Sequence, residues 1–228
     1  FTAFYETPTN FVSNGLRWVN PIADMMIPQR ALLFGWSLLF PCLFLLHRAA
    51  IQRDTSAFVP LGILAGTLPL IHTHSFLALG IISGFYLVRS LVRKEGKAQW
   101  LGFAKYLGIV LLLALPQLIF FTFKQSGSFL KFHFNWANEA DNYFWFYIKN
   151  FGLIALLFPV AFLAANREEK GVVGGALLIF AIAEFIQFQP NPYDNNKLLF
   201  IAFLYACGLV AGWLFDAKDR LTRGAARN

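Results

Sequence analysis

The chain has 228 residues, of which 57% are hydrophobic and only 14% charged, with 19 Lys and Arg against 12 Asp and Glu for a net charge of +7. Soluble domains carry roughly 25% charged residues, so this chain has too few charges to cover a water-facing surface. A nucleic-acid-binding face is excluded as well, because the cations cluster at the ends of apolar runs and not among aromatics on a polar surface.

These features imply an all-α, polytopic transmembrane helical bundle. A span needs roughly 20 mostly apolar residues. Residues 1–29 read as an external segment with turn signals at "TPTN", "SNG" and "NP". Spans are then expected at 31–46, 57–71, 75–92, 100–121, 146–165, 171–188 and 197–215. The second and third are short, so the hairpin tip "LIHTHS" is expected to lie slightly below the membrane surface and to be bent, not helical, from Ile71 to Ser75. The bundle occupies 30–216, with external loops near 72–74, 122–145 and 189–196, and 217–228 form a charged tail. The aromatics Phe129, Phe132, Phe134 and Trp136 suggest an element lying on the interface.

Charge asymmetry sets the orientation. Thirteen Lys and Arg fall at one set of helix ends and six at the other. The positive-inside rule puts the richer set in the cytoplasm, which gives seven spans with the N-terminus outside and the C-terminus cytoplasmic, and suggests the plasma membrane. The first residue is Phe1 and no signal-peptide pattern follows, so the chain reads as a piece of a longer protein or a processed one. Cys42 and Cys207 sit in apolar runs and read as packing residues, with a disulfide as the alternative.

The external loops hold the unusual polar residues. At the mouth of the first span, Gln29 and Arg30 offer a phosphate clamp, or an arginine snorkelling to lipid headgroups. His72 and His74 lie two apart, which puts them on nearly opposite sides of a helix but on one side of an extended strand. They read as substrate contacts, as packing residues, or in an extended tip as metal ligands. His133, Glu139 and Asp141 read as a solvated interfacial face. Glu184 is the single carboxylate inside an expected span, with Gln187 three residues on along the same face. Such a group lines a functional cavity or makes a structural hydrogen bond to a neighbouring helix. In "PNPYDNNK", Pro190 and Pro192 end one helix, and Asp194, Asn195 and Asn196 precede the next. Asp194 is either a helix cap or, with Lys197, part of a seat for a ligand at a helix N-terminus.

Three stretches together, "MMIPQRALLFGWSL", "GTLPLIHTHSFLAL" and "FQPNPYDNNKLLF", resemble the later, membrane-embedded part of bacterial or archaeal proteins of the C-type glycosyltransferase superfamily. The resemblance covers roughly Pro28 to Phe200. It implies an external active site and a polyprenyl-phosphate-linked sugar donor. Arg30 and Lys197 would meet the lipid phosphate, with Gln29 a further substrate-binding candidate. His72, His74, Asp194, Asn195 and Asn196 would line the sugar pocket, with His72, His74 and Asp194 also candidates for a divalent metal ion. Asp194 and Glu184 would be the catalytic carboxylates. The superfamily's usual acidic residue, in its first external loop, would lie upstream of Phe1, so the implied partners are membrane lipids, the lipid-linked donor, and other protein chains or a missing N-terminal half. The competing readings are a non-catalytic membrane subunit and a transporter. The second lacks polar residues spread along the spans and paired broken helices.

Overall fold

The computed structural model describes residues 10–17, 20–123, 130–188 and 192–225. Among the described residues are eight α-helices: α1 (Arg30–Ala50), α2 (Phe58–Ile71), α3 (Thr73–Val92), α4 (Lys97–Gln117), α5 (Tyr143–Phe151), α6 (Leu153–Ala164), α7 (Arg167–Phe185) and α8 (Asn196–Ala225). Helix α1 buries one stripe, Leu32, Trp36, Leu39, Cys42, Leu46 and Ala49, at spacings of three and four, and leaves Phe34, Phe40 and Phe44 exposed. A helix that is apolar on its outward face as well as its buried one suits a lipid surround. Helix α2 packs against α4 and α1, α3 against α1 and α7, and α8 against α7 and α6. Both cysteines are free.

By length and composition the described helices suit a membrane: four of them are long and apolar enough to cross a bilayer, α1, α3, α4 with its continuation to Thr122, and α8. Three of the seven expected spans differ from that. Helix α2 has 14 residues, about 21 Å at 1.5 Å each. Helix α7 carries four charged residues, Arg167 to Lys170, in its first turn and Glu184 in its last, so its apolar stretch is too short. The expected span 146–165 is two helices, α5 and α6, bent by 99°. Gly152 makes the corner with φ +58, a conformation that costs glycine little and L side chains much. Counting the bent pair as one span raises the total to five.

The bundle has two chemically distinct ends. At one, which we call the histidine end, His72 packs on Gly35 and the Gln117 amide donates to the Gly66 carbonyl at 2.8 Å. At the arginine end, Gln99 donates to the Ala49 carbonyl at 2.7 Å, Arg48 pairs with Asp54, and Arg53 lies 3.7 Å from Glu95.

Two small antiparallel strand pairs among the described residues close the histidine end. Strands β1 (Asn10–Phe11) and β2 (Leu16–Arg17) pair antiparallel. Asn150 of α5 clamps them, accepting from the Arg17 amide at 2.8 Å and donating to the Gly15 carbonyl at 3.0 Å. Glu139 pairs with Arg17 and Asp141 with Lys149. These two carboxylates, expected on a solvated face, therefore tie the loop to β2 and α5. Strands β3 (Lys131–Phe132) and β4 (Ile186–Gln187) also pair antiparallel, which draws the 130s loop onto the end of α7. Phe132 and Phe134 are exposed as an interfacial element requires, but Trp136 is buried and donates its indole N–H to the Ala183 carbonyl at 2.8 Å. Phe129 lies outside the described residues.

Candidate functional site

The break between α2 and α3 is a single residue. His72 is extended, with φ −159 and ψ 98, and helix resumes at Thr73. The expected bend is thus narrower than Ile71 to Ser75: Ile71 closes α2, and His74 and Ser75 belong to the first turn of α3. The cause is capping. Nδ1 of His72 accepts the Ser75 amide at 3.3 Å and lies 2.8 Å from its hydroxyl, which satisfies one of the free N–H groups that open every helix.

That cap sets the chemistry of the ring. Burial, then the nearby His74 and Lys197, hold the His72 pKa well below the usual histidine range, so the imidazole is neutral. With Nδ1 accepting, its proton sits on Nε2. The extended backbone turns the ring toward His74, with centroids 5.3 Å apart and planes inclined by 33°. Both histidines are more than nine-tenths buried, yet the Nε2 atom of each has no hydrogen-bond partner among the described residues. The indole N–H of Trp36, adjacent to the Gly35 that abuts His72, has none either. Buried polar groups are rarely left unpaired, so the two Nε2 atoms are free to meet a ligand or water.

Lys197 supplies the charge. It lies in the first turn of α8, buried, with Nζ 2.7 Å from Oδ1 of Asp194. Its ammonium acts electrostatically on both imidazoles, and Asp194 acts on His74. Helix α3 packs against α8, so the charges of Asp194 and Lys197 act on the histidines from a distant part of the chain.

The neighbouring asparagines have other work. Asn195 is fully buried; its amide donates to the carbonyls of Ala183 at 3.0 Å and Ile186 at 2.8 Å, and its Oδ1 accepts the Phe188 amide at 3.1 Å. Both donor hydrogens are used, leaving none for a sugar hydroxyl. The Asn196 amide donates to the Arg17 carbonyl at 3.1 Å. These residues staple the start of α8 to the end of α7 and to β2. Residues 189–191, including Pro190, lie outside the described part.

Glu184 is buried in the last turn of α7 and accepts a hydrogen bond from the Tyr147 hydroxyl of α5. That is the interhelical tie; its Oε1 has no partner among the described residues. Gln187 is buried in β4, and His133 is exposed with its amide bonded to the Phe185 carbonyl. Arg30 is exposed at the start of α1 and Gln29 just precedes it; no described side-chain hydrogen bond or ion pair joins either to the histidine–lysine cluster. No group of three or more His, Cys, Asp or Glu among the described residues is placed to hold a metal ion. The tautomer at His72 agrees with that arrangement, since an Nε2 that carries a proton donates a hydrogen bond and has no lone pair for a cation.

Sequence reasoning passed over Trp36, Tyr147 and Gly35. The first two are interior aromatics in an aromatic-rich chain, and only the unpaired N–H and the carboxylate contact distinguish them. No family model matches the chain, and no curated protein or solved structure matches it.

Proposed function

We propose that the protein binds the phosphate of a polyprenyl-phosphate-linked sugar at the histidine end, as the membrane-embedded later part of a C-type glycosyltransferase. In this reading it crosses the plasma membrane seven times, with the histidine end outside and the C-terminus in the cytoplasm. One observation carries the reading: a buried ammonium, Lys197, acts electrostatically on two buried imidazoles whose Nε2 atoms lack partners among the described residues. At least one of those nitrogens is an N–H donor, and Lys197 has hydrogens beyond the one directed at Asp194. A set of donors around one positive charge fits phosphate oxygens, where charge-assisted bonds are strongest. A cleaved phosphate leaving group gains the same stabilisation, which is what glycosyl transfer requires. Asp194 positions the ammonium. The donor-rich geometry favours an anion over a divalent metal as the ligand.

The test uses the full chain in nanodiscs with polyprenyl monophosphate and the corresponding phosphate-free polyprenol as probes. Losing a charge-assisted bond of about 1.5–3 kcal/mol weakens binding roughly 10- to 100-fold, so Lys197→Gln should bind the phosphate lipid that much more weakly and the alcohol unchanged. Equal affinity of wild type for the two lipids, or of both proteins for the phosphate lipid, overturns the reading. Transfer from a polyprenyl-phosphate sugar should fall in parallel in a preparation that contains any other chain the reaction needs.

A further inference from the structure

A groove of about 1140 Å³ opens toward the arginine end, far from the histidines. Phe40 and Leu43 of α1 form one wall, and Ala161 and Val173, from α6 and α7, another. The third is α8, whose lining includes Gly208 and Gly212. These two form a G-x-x-x-G pair, the spacing that lets two membrane helices bring their backbones into contact. Within this chain the pair touches nothing: a Cβ built at either position meets no atom within 4 Å. Leu204 and Phe215, on the same helical face, are exposed.

The mouth of the groove is acidic. Glu168, Glu169 and Asp216 line it against one guanidinium, Arg220. Among the described residues, Glu168, Asp216 and Arg220 form no ion pair. Glu169 accepts the Asn166 amide in a capping box and Arg89 acts on Glu168; a lipid tail fills apolar space but brings no further cation to these exposed carboxylates.

We propose that the groove receives the α8 helix of a second copy of this chain, in a parallel two-fold pair. Two copies inserted with the same orientation bring Gly208 and Gly212 of one against Gly208 and Gly212 of the other, a self-complementary contact of the kind two-fold symmetry requires. The same operation carries the 216–223 stretch of the incoming helix, with Lys218, Arg220 and Arg223 against its own Asp216 and Asp219, to the level of the acidic mouth. The small pair sets the approach and the charges set the register. This inference is independent of the proposed phosphate site, which lies at the other end.

The experiment measures association of dye-labelled full chains in vesicles of phosphatidylethanolamine and phosphatidylglycerol, by single-molecule photobleaching over a range of protein densities. Wild type should dimerise. Gly212→Ile has room in the monomer and should leave its thermal stability unchanged while weakening association about tenfold or more, because the close backbone approach is lost. Gly84→Ile on α3, which also meets no atom within 4 Å, should dimerise as wild type does. Glu168→Arg and Arg220→Glu should each weaken the pair, and the double variant should recover association. A wild type monomeric at every density overturns the proposal, as do equal effects of Gly212→Ile and Gly84→Ile. Cross-linking of Gly212→Cys to a different polypeptide in native membranes, with no self-cross-link, assigns the groove to another partner and overturns it too.

Discussion

Gly35 and His72 are in direct contact: a Cβ on residue 35 would stand 2.3 Å from the Cβ of His72 and 2.8 Å from its Nδ1. The glycine makes the seat in α1 into which the α2–α3 break is pressed. Gly35→Ala should therefore displace the ring that caps α3, at about 1–3 kcal/mol as overpacking, and weaken binding of polyprenyl monophosphate as His72→Ala does. Gly80→Ala, where nothing lies within 4 Å, should change neither. Thermal unfolding and lipid binding on the three variants check this.

Asn195→Ala removes three hydrogen bonds between the start of α8 and the end of α7. At about 1 kcal/mol each, the expected loss is about 3 kcal/mol, seen as a large drop in thermal stability. Asn196→Ala, with one such bond, should lose about a third as much. Lipid binding by Asn195→Ala at low temperature, where the protein stays folded, should remain near that of wild type.

Asp194 and Lys197 can be separated by a double substitution. Asp194→Asn leaves Lys197 buried without its carboxylate and should cost about 1–3 kcal/mol. Adding Lys197→Met removes the stranded charge, so the double variant should be more stable than Asp194→Asn alone while binding polyprenyl monophosphate least of all. A double variant no more stable than the single one would show that the ammonium reaches solvent once its partner is gone.

The buried imidazole of His72 predicts a pH dependence. Its pKa falls from 6.5 to about 3 on folding, so between those values the unfolded chain binds more protons than the folded one. Stability then rises with pH across that window: it is fully present above pH 6.5 and declines as the solution is acidified toward pH 3. His72→Asn can still cap α3 but does not titrate there. Its melting temperature should fall less steeply than wild type between pH 7 and pH 5.

The helices were legible because apolar length is a one-dimensional property, and six of the seven expected spans lie on a single helix each. The break at 152 was hidden because Gly152 stands alone in an apolar run, "NFGLIALLF", where composition does not reveal the sign of φ. The stretch "PNPYDNNK" was half legible. Asp194 and Lys197 were singled out together; they pair, and their charges act on the histidines. Asn195 and Asn196 look the same in sequence whether they face a ligand or a carbonyl, and here they face carbonyls. Arg30 and Gln29 were grouped with the site by proximity to a helix mouth, yet the contacts that build the cluster come from α3 and α8. Two histidines two residues apart suggested a metal in an extended tip; the structure extends one of them and caps a helix with it.

The corner at Gly152 bears on how the protein enters its membrane. Helix α5 has nine residues and α6 has twelve, about 14 Å and 18 Å of rise, so neither half alone spans a ~30 Å hydrocarbon layer. Joined straight, residues 143–164 measure about 33 Å and present the length an insertion channel accepts as one segment. The 99° turn is held by Asn150 reaching back to the β1–β2 hairpin and by Tyr147 reaching forward to Glu184, so a straight segment can fold over to close the histidine end only once residues on both sides of it in the sequence are in place.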